Sequence, residues 1–124
     1  NKFGQEINTR DIFTATQNIG MVILGLSKKS KTYAKTLNVA VNKIVPSQPT
    51  VTINKTKEYI ENPPAALPVL GYYKSNFYVI EGHHTLAAQI VKDVAQIKAT
   101  VYFYNENGKQ IKPTKKVMQN ITDI

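Results

Sequence analysis

The sequence predicts a mixed α+β domain that combines a small mixed sheet with helices. Three observations indicate this class. The 124 residues are 42% hydrophobic, which suits one domain with one core. Short segments of alternating apolar residues indicate strands. At Gly82 the apolar spacing changes from the two-residue period of a strand to the roughly 3.6-residue period of a helix.

The N-terminal part of the chain is predicted to be helical and basic. Asn8 followed by Asp11 is typical of a helix start, and the apolar residues after it recur at helical spacing: Ile12, Ala15, Ile19, Val22 and Leu26. The lysine-rich segment 27–35 is interpreted as a mobile connection. We therefore divide the single domain, residues 1–124, into an N-terminal extension (1–37), a core (38–104) and a basic C-terminal tail or helix (105–124).

The core is predicted to alternate strands and helices. A β-branched strand over 38–45 stops at a Pro-Ser-Gln-Pro segment, and Asn54 is placed to cap a short helix that prolines end after Glu61. Strands over 68–73 and 77–81 are joined by residues 74–76, which suit a hairpin turn. A helix over 84–94 and a strand over 97–104 follow. A last helix is predicted to begin at Thr114 and to place inward Val117, Met118 and Ile121.

Composition excludes several kinds of site. The absence of cysteine excludes disulfides, thiolate zinc ligation and a cysteine nucleophile. The longest apolar stretch, residues 21–26, is far shorter than the roughly 20 residues of a membrane span, so no membrane partner is expected. The chain begins with Asn1 rather than Met, which predicts a processed chain or a part of a longer protein.

Charge is distributed unevenly along the chain. The net charge is +8, and no acidic residue occurs between Asp11 and Glu58, a region that includes Lys43, Lys55 and Lys57. Such asymmetry is typical of proteins that contact phosphate, although lysine also serves as an ordinary solubilising residue. Arg10 is the only arginine, which favours contact with backbone phosphates over bidentate recognition of bases.

The strand-to-helix junction combines the residue types of a phosphate site. Glu81, Gly82, His83, His84 and Thr85 are consecutive, and the two histidines are the only ones in the chain. A glycine allows backbone amides to approach a ligand, and a helix N-terminus attracts anions. The histidines would supply acid-base chemistry, Glu81 a carboxylate for a divalent cation, and Thr85 a hydroxyl donor. The alternative is that the histidines only cap a helix.

At these residues the chain resembles the ParB/sulfiredoxin superfamily. The segment FYVIEGHHTLAA is similar to the family's signature, in which an apolar strand ends in an acidic residue, then Gly-His-His-Arg or a variant, then an alanine-rich helix. The segment 42–51 is similar to the family's first strand and its Pro-Ser-Gln sequence, and residues 97–104 to its closing strand. The likeness covers about residues 38–104. The sulfiredoxin cysteine is replaced by His83, and Thr85 stands where partition proteins carry an arginine, which disfavours both branches.

Three functions agree with this resemblance. The first is a small basic nuclease that cleaves nucleic-acid phosphodiesters, as the C-terminal toxin domain of a larger secreted bacterial protein. The second is a nucleotide-dependent phosphohydrolase or phosphotransferase, which would bind a nucleotide. The third is a non-catalytic DNA-binding module. We favour the nuclease, because it also explains the basic surface.

The expected nuclease site has defined roles. Glu81, His83 and His84 are the predicted catalytic residues, with His84 or His83 activating water and Glu81 acting directly or through a divalent metal such as Mg²⁺. Gly82, Thr85, Lys43, Lys55 and Lys57 are the predicted phosphate-binding residues. The expected partners are DNA or RNA and, for a toxin exported to act in a target-cell cytoplasm, an acidic immunity protein.

Overall fold

In a computed structural model of the protein, the described part of the chain contains a six-stranded mixed sheet and two α-helices. The structure describes residues 5–14, 34–115 and 118. The strands are β1 (Glu6–Asn8), β2 (Lys35–Ala40), β3 (Ile44–Val45), β4 (Thr50–Thr52), β5 (Val69–Tyr73), β6 (Asn76–Glu81), β7 (Gln96–Tyr104) and β8 (Gln110–Ile111), and the helices are α1 (Ile53–Glu61) and α2 (His83–Val91).

The sheet has the strand order β2-β7-β5-β6-β3, and β8 pairs with β7. The pairs β5–β7 and β3–β6 are parallel, and the other pairs are antiparallel. The segments β1 and β4 form a separate two-stranded antiparallel sheet, and the chain enters α1 directly from β4. The described structure is therefore a mixed α/β domain, in agreement with the predicted class.

The main core lies between one face of the sheet and the helices. Strand β7 contributes alternate residues to it, as its sequence pattern predicts: Ile97, Ala99, Val101 and Phe103. Leu86 and Ala87 of α2 are fully buried against this face, and α1 packs against α2. The opposite face of the sheet carries a second cluster, in which Tyr78, Tyr102 and Tyr104 are buried. Burial on both faces fixes the register of β6 and β7, because a one-residue slip would exchange the two sets of side chains.

The hairpin between β5 and β6 is tighter than the sequence indicates. Its turn is formed by Lys74 and Ser75 alone, and Asn76 is already paired in β6. Both turn residues have positive φ, 47° and 68°, which is the requirement of a two-residue type I′ turn. The predicted hairpin is confirmed with a shorter turn.

The segment predicted as one strand over 38–45 is divided in two. β2 ends at Ala40, residues Val41–Lys43 form a 3-10 turn, and β3 begins at Ile44. The backbone N–H of Val41 donates to the carbonyl of Ala95 at 3.0 Å, so the chain leaves the edge of the sheet at this residue. As a result β2 and β3 lie at opposite edges of the sheet.

Helix boundaries also differ from the predictions. Thr52, not Asn54, precedes α1, and Asn54 is exposed inside the helix; the predicted end at Glu61 is confirmed. α2 covers residues 83–91 rather than 84–94. At the C-terminus, Met118 donates its N–H to Thr114 and packs against the core, whereas Val117 and Ile121 lie outside the described residues.

The described N-terminal residues are part of the core assembly. Asn8 ends a strand and precedes a single 3-10 turn, Thr9–Asp11, rather than an α-helix. Phe13 is buried and Ile12 packs beside it in the main core. The rest of the predicted N-terminal helix, and most of the predicted connection 27–35, lie outside the described residues.

Candidate functional site

The junction between β6 and α2 is shaped by Gly82. This residue has φ of 99° and ψ of 32°, a left-handed conformation that glycine adopts without strain. A Cβ atom placed on Gly82 would lie 2.9 Å from Cβ of Pro68, so the space beside it is also closed to a side chain. The glycine therefore allows β6 to turn sharply into α2 beneath the Pro68 loop.

The N-terminus of α2 has no side-chain cap. Its first backbone hydrogen bond runs from the N–H of Leu86 to the carbonyl of Gly82, 2.9 Å. The N–H groups of His83, His84 and Thr85 precede this bond and have no acceptor within the helix. Together with the helix dipole they form an arrangement that can bind an anion.

His83 points inward and is fixed by the loop after β3. Its side chain is 7% exposed, and its Nε2 accepts the backbone N–H of Ser47 at 2.9 Å. The hydroxyl of Ser47 lies 3.0 Å from the same nitrogen and also donates to the carbonyl of Val79. Burial, and then the neighbouring His84, lower the pKa of His83 to about 4. His83 is therefore a neutral imidazole with its proton on Nδ1, because Nε2 is the acceptor.

His84 is engaged in the same way but is less buried. Its Nε2 accepts the backbone N–H of Thr52 at 3.1 Å, with the Thr52 hydroxyl 3.4 Å away. Burial, and then the Lys55 ammonium, lower the pKa of His84 below its ordinary value. The neutral ring carries its proton on Nδ1 and can donate that N–H to a ligand. It can act as a base only after releasing Thr52.

The loop that holds the histidines is itself held by the N-terminal segment. Thr9 is fully buried, its hydroxyl donates to the carbonyl of Gln48 at 2.8 Å, and its backbone N–H donates to Pro49 at 2.8 Å. The side-chain amide of Gln48 in turn donates to the carbonyl of Thr50 at 2.8 Å. These hydrogen bonds therefore hold residues 47–52 in place, and this segment faces the start of α2.

These elements enclose a cleft of about 410 Å³. Five of the predicted site residues line it on the junction itself: Glu81, Gly82, His83, His84 and Thr85. Lys55 reaches it from α1, where its Nζ lies 5.7 Å from the centre of the Tyr59 ring. Lys55, the uncapped helix start and the neutral His84 ring supply donors that suit an anionic ligand, and Glu81 adds one carboxylate to the lining.

Two predicted phosphate-binding residues do not line the cleft. Lys43 is half-buried in the 3-10 turn before β3, and Lys57 is exposed on α1. Lys57 is two positions from Lys55, and residues two apart on a helix point in different directions. These two lysines can contribute to the wider basic surface but do not contact a ligand inside the cleft.

Four lining residues were not predicted as site residues from the sequence: Ser47, Gln48, Tyr59 and Ile80. For Ser47 and Gln48 a signal existed, because they lie in the Pro-Ser-Gln segment on which the expected resemblance to the ParB/sulfiredoxin superfamily partly rests. Tyr59 is four residues after Lys55 on α1, so the helical spacing from Lys55 would have identified it.

A metal ion would find a single carboxylate in the cleft. Within residues 5–14, 34–115 and 118 there is no group of three His, Cys, Asp or Glu side chains arranged to hold a metal. Mg²⁺ is commonly bound by one or two carboxylates together with water and substrate phosphates. Glu81 could provide the one carboxylate that such a Mg²⁺ ion needs beside water and phosphate, but one carboxylate is too few for a site in which the protein supplies all ligands.

The fold and the cleft together define a small mixed α/β domain with an anion-compatible pocket at a strand-to-helix junction. No protein-family model matches the chain, and no curated protein matches it significantly. Among the described helices none has the length and apolar character needed to cross a membrane.

Proposed function

We propose that this protein is a ParB/sulfiredoxin-like nuclease that hydrolyses nucleic-acid phosphodiesters at the start of α2. The observation that carries the proposal is the uncapped N-terminus of α2, which opens into a cleft shared by His84, Lys55 and Glu81. A scissile phosphate at this position would accept hydrogen bonds from the helix-start N–H groups and from Thr85. Lys55 would offset its negative charge.

The histidines would act mainly as supports and donors in this mechanism. Both Nε2 lone pairs accept backbone N–H groups, so neither ring has a lone pair ready to take a proton from water. His84 would donate Nδ1–H to a phosphoryl oxygen and stabilise the charge that develops there. His83 would keep the helix start fixed against the Ser47 loop.

Water activation would then fall to Glu81, the carboxylate that lines the cleft. Water attacks phosphorus, one P–O bond breaks, and the proton that water loses is finally carried by the leaving oxygen. A divalent cation such as Mg²⁺ would be held by Glu81 and would supply further neutralisation of phosphate charge.

Charge favours a polymeric substrate. The protein has a net charge of +8, and its basic residues are almost all lysines, which contact phosphate as point charges. Lys43 and Lys57 lie outside the cleft and would guide a polyanion toward it rather than hold the reacting phosphate. The expected partner is therefore DNA or RNA bound through its backbone.

The direct test incubates the purified protein with plasmid DNA, total RNA and nucleoside triphosphates, each with Mg²⁺ or with chelator. We expect cleavage of polymer. At saturating polymer, Lys55→Gln should reduce the cleavage rate by about tenfold or more, whereas Lys57→Gln, the matched control on the same helix but outside the cleft, should change this rate little. If both polymers remain intact under every condition, the nuclease proposal is wrong.

A nucleotide hydrolase is the second candidate, because a cleft of about 410 Å³ falls within the usual size range of small-molecule sites. The same assay separates the two functions, since release of phosphate from nucleotides without polymer cleavage would identify the hydrolase. Binding of polymer without any turnover would instead identify a non-catalytic binding module.

The toxin role is proposed from the resemblance and the basic charge. A basic nuclease is most simply blocked by an acidic protein that covers its site, so we expect an acidic immunity partner in the producing cell. Expression of the protein in a bacterial cytoplasm without a partner should arrest growth, and Lys55→Gln should relieve the arrest. Normal growth with abundant folded protein would contradict the toxin role.

A further inference from the structure

A second cavity lies next to the cleft. Its volume is about 470 Å³, and it is lined on the side of the sheet that carries the tyrosine cluster. Its lining includes apolar residues, among them Leu67 and Val69, together with Tyr102. It also includes polar residues of β2 and β7: Lys35, Thr36 and Thr100. An apolar wall with a few polar groups is typical of sites for small organic ligands.

Glu81 belongs to both cavities. It is the last residue of β6 and pairs with Val69 of β5, where the register of the two strands shifts. The anion-compatible cleft and the second cavity therefore meet at Glu81. A ligand whose phosphate occupies the cleft would extend past Glu81 into the second cavity.

We infer that the second cavity binds the nucleoside on one side of the scissile phosphate, so that the site accommodates a phosphodiester between two nucleosides rather than a terminal phosphate. This inference rests on the proposed function. The apolar wall, with Leu67 and Val69, suits the flat face of a base, and Thr36 and Thr100 offer hydroxyls to the polar edges. Lys35 is exposed at the rim and suits the next phosphate of a polymer.

The test compares probes that carry either no nucleoside or two nucleosides on the phosphate. These are inorganic phosphate, O,O-dimethyl phosphorothioate (the methyl ester), and dithymidine with a phosphorothioate linkage, with the corresponding diuridine compound as a second series. Affinities are measured by calorimetry in the presence of chelator. We expect each dinucleotide to bind about tenfold more tightly than the methyl ester of the same charge.

Substitutions on β2 provide the matched pair of variants. Thr36→Trp should fill the second cavity and reduce dinucleotide affinity to that of the methyl ester, without changing phosphate affinity. Asn38→Trp, two residues along the same strand and outside both cavities, should change none of the affinities. If Thr36→Trp fails to fold by its melting temperature, Ala66→Trp in the loop that lines the same cavity replaces it.

The outcomes separate this inference from the nuclease proposal. Equal affinity for the dinucleotide and the methyl ester, or unchanged dinucleotide binding in Thr36→Trp, would overturn the inference even if polymer is cleaved. If the probes bind with the expected affinities but no polymer is cleaved, the nucleoside subsite would be supported and the nuclease proposal would be wrong. If none of the probes binds, both proposals fail.

Discussion

At the residue scale, the two histidines show how position changes the chemistry of one side-chain type. Each Nε2 accepts a backbone N–H, from Ser47 for His83 and from Thr52 for His84. A residue that accepts such a bond is fixed in one tautomer and presents its opposite nitrogen as a donor. The pair therefore joins the start of α2 to two other segments of the chain, and the less buried His84 keeps its Nδ1–H for a ligand.

Stability should depend on pH through His83. Its pKa is lowered from 6.5 to about 4, so the unfolded chain takes up a proton at a higher pH than the native protein. The contribution of neutral His83 is fully present above about pH 6.5 and is lost as the pH falls toward 4. Urea unfolding of the unsubstituted protein should show that the free energy of unfolding falls by on the order of 3 kcal/mol as the pH is lowered from 6.5 to about 4.

The matched control is His83→Asn, in which the titrating group is absent. Carboxylates titrate in the same range, so the comparison of the two pH slopes isolates His83. The variant should be less stable at pH 7 by about 1–3 kcal/mol, because the N–H of Ser47 loses its acceptor, and its slope should be shallower. Parallel slopes would contradict the account of His83.

Two substitutions of His84 distinguish a donor from a base. If His84 donates Nδ1–H to the phosphate, His84→Ala should lower turnover by about 10²–10³, the usual effect of removing one such donor. His84→Asn keeps an N–H donor and should retain more activity than alanine. Equal loss of turnover in the two variants, with both folded, would show instead that proton transfer by His84 is essential.

At the element scale, the β5–β6 hairpin can be improved by one change. Ser75 has φ of 68°, a conformation that costs an L-residue about 1 kcal/mol or more and costs glycine nothing sterically. Ser75→Gly should therefore raise the free energy of unfolding by about 0.5–1 kcal/mol and the melting temperature by a few degrees. Asn107→Gly, in an exposed turn without positive φ, is the control and should lower stability slightly.

The structural elements that are determined by residues adjacent in the chain were predicted from the sequence. The hairpin, the strand-to-helix junction at Gly82 and the alternation of β7 each depend on residues that are adjacent in the chain. The division of the segment 38–45 into two strands was not predictable in this way, because it follows the hydrogen bond from Val41 to Ala95. The pairing of β1 with β4 is likewise a contact between distant segments.

The same distinction holds for the site. Residues 81–85 were predicted together because they are consecutive, and the structure places all five in one cleft. Lysines were chosen by charge alone, which cannot tell Lys55, inside the cleft, from Lys57, outside it. The attachment of both histidines to residues 47 and 52 depends on tertiary packing, so their use as acceptors had no local signal.

At the scale of the whole molecule, polyanion binding should be governed by salt. A net charge of +8 carried mostly by lysine favours binding through release of counterions from nucleic acid. Affinity for a random-sequence oligonucleotide, measured by fluorescence anisotropy, should fall at least about tenfold between roughly 50 and 200 mM salt. Lys57→Gln should reduce the slope of log affinity against log salt by about one. A flat profile would contradict backbone-directed binding.

The position of β7 between β2 and β5 also governs the order in which the chain can fold. The residues that pair with β7 are distant from it in sequence: Val69 pairs with Thr100, and Lys35 pairs with Val101. Loop-closure entropy favours the shorter connection, so the contiguous unit from β5 to β7, which contains α2, should assemble before β2 and the Ser47 loop join it. One wall of the cleft is therefore added late, and a partly folded chain would carry the histidines without the loop that fixes them. Activity should then appear only in the final folding step, which delays the onset of cleavage while a newly made chain is still reaching its native state.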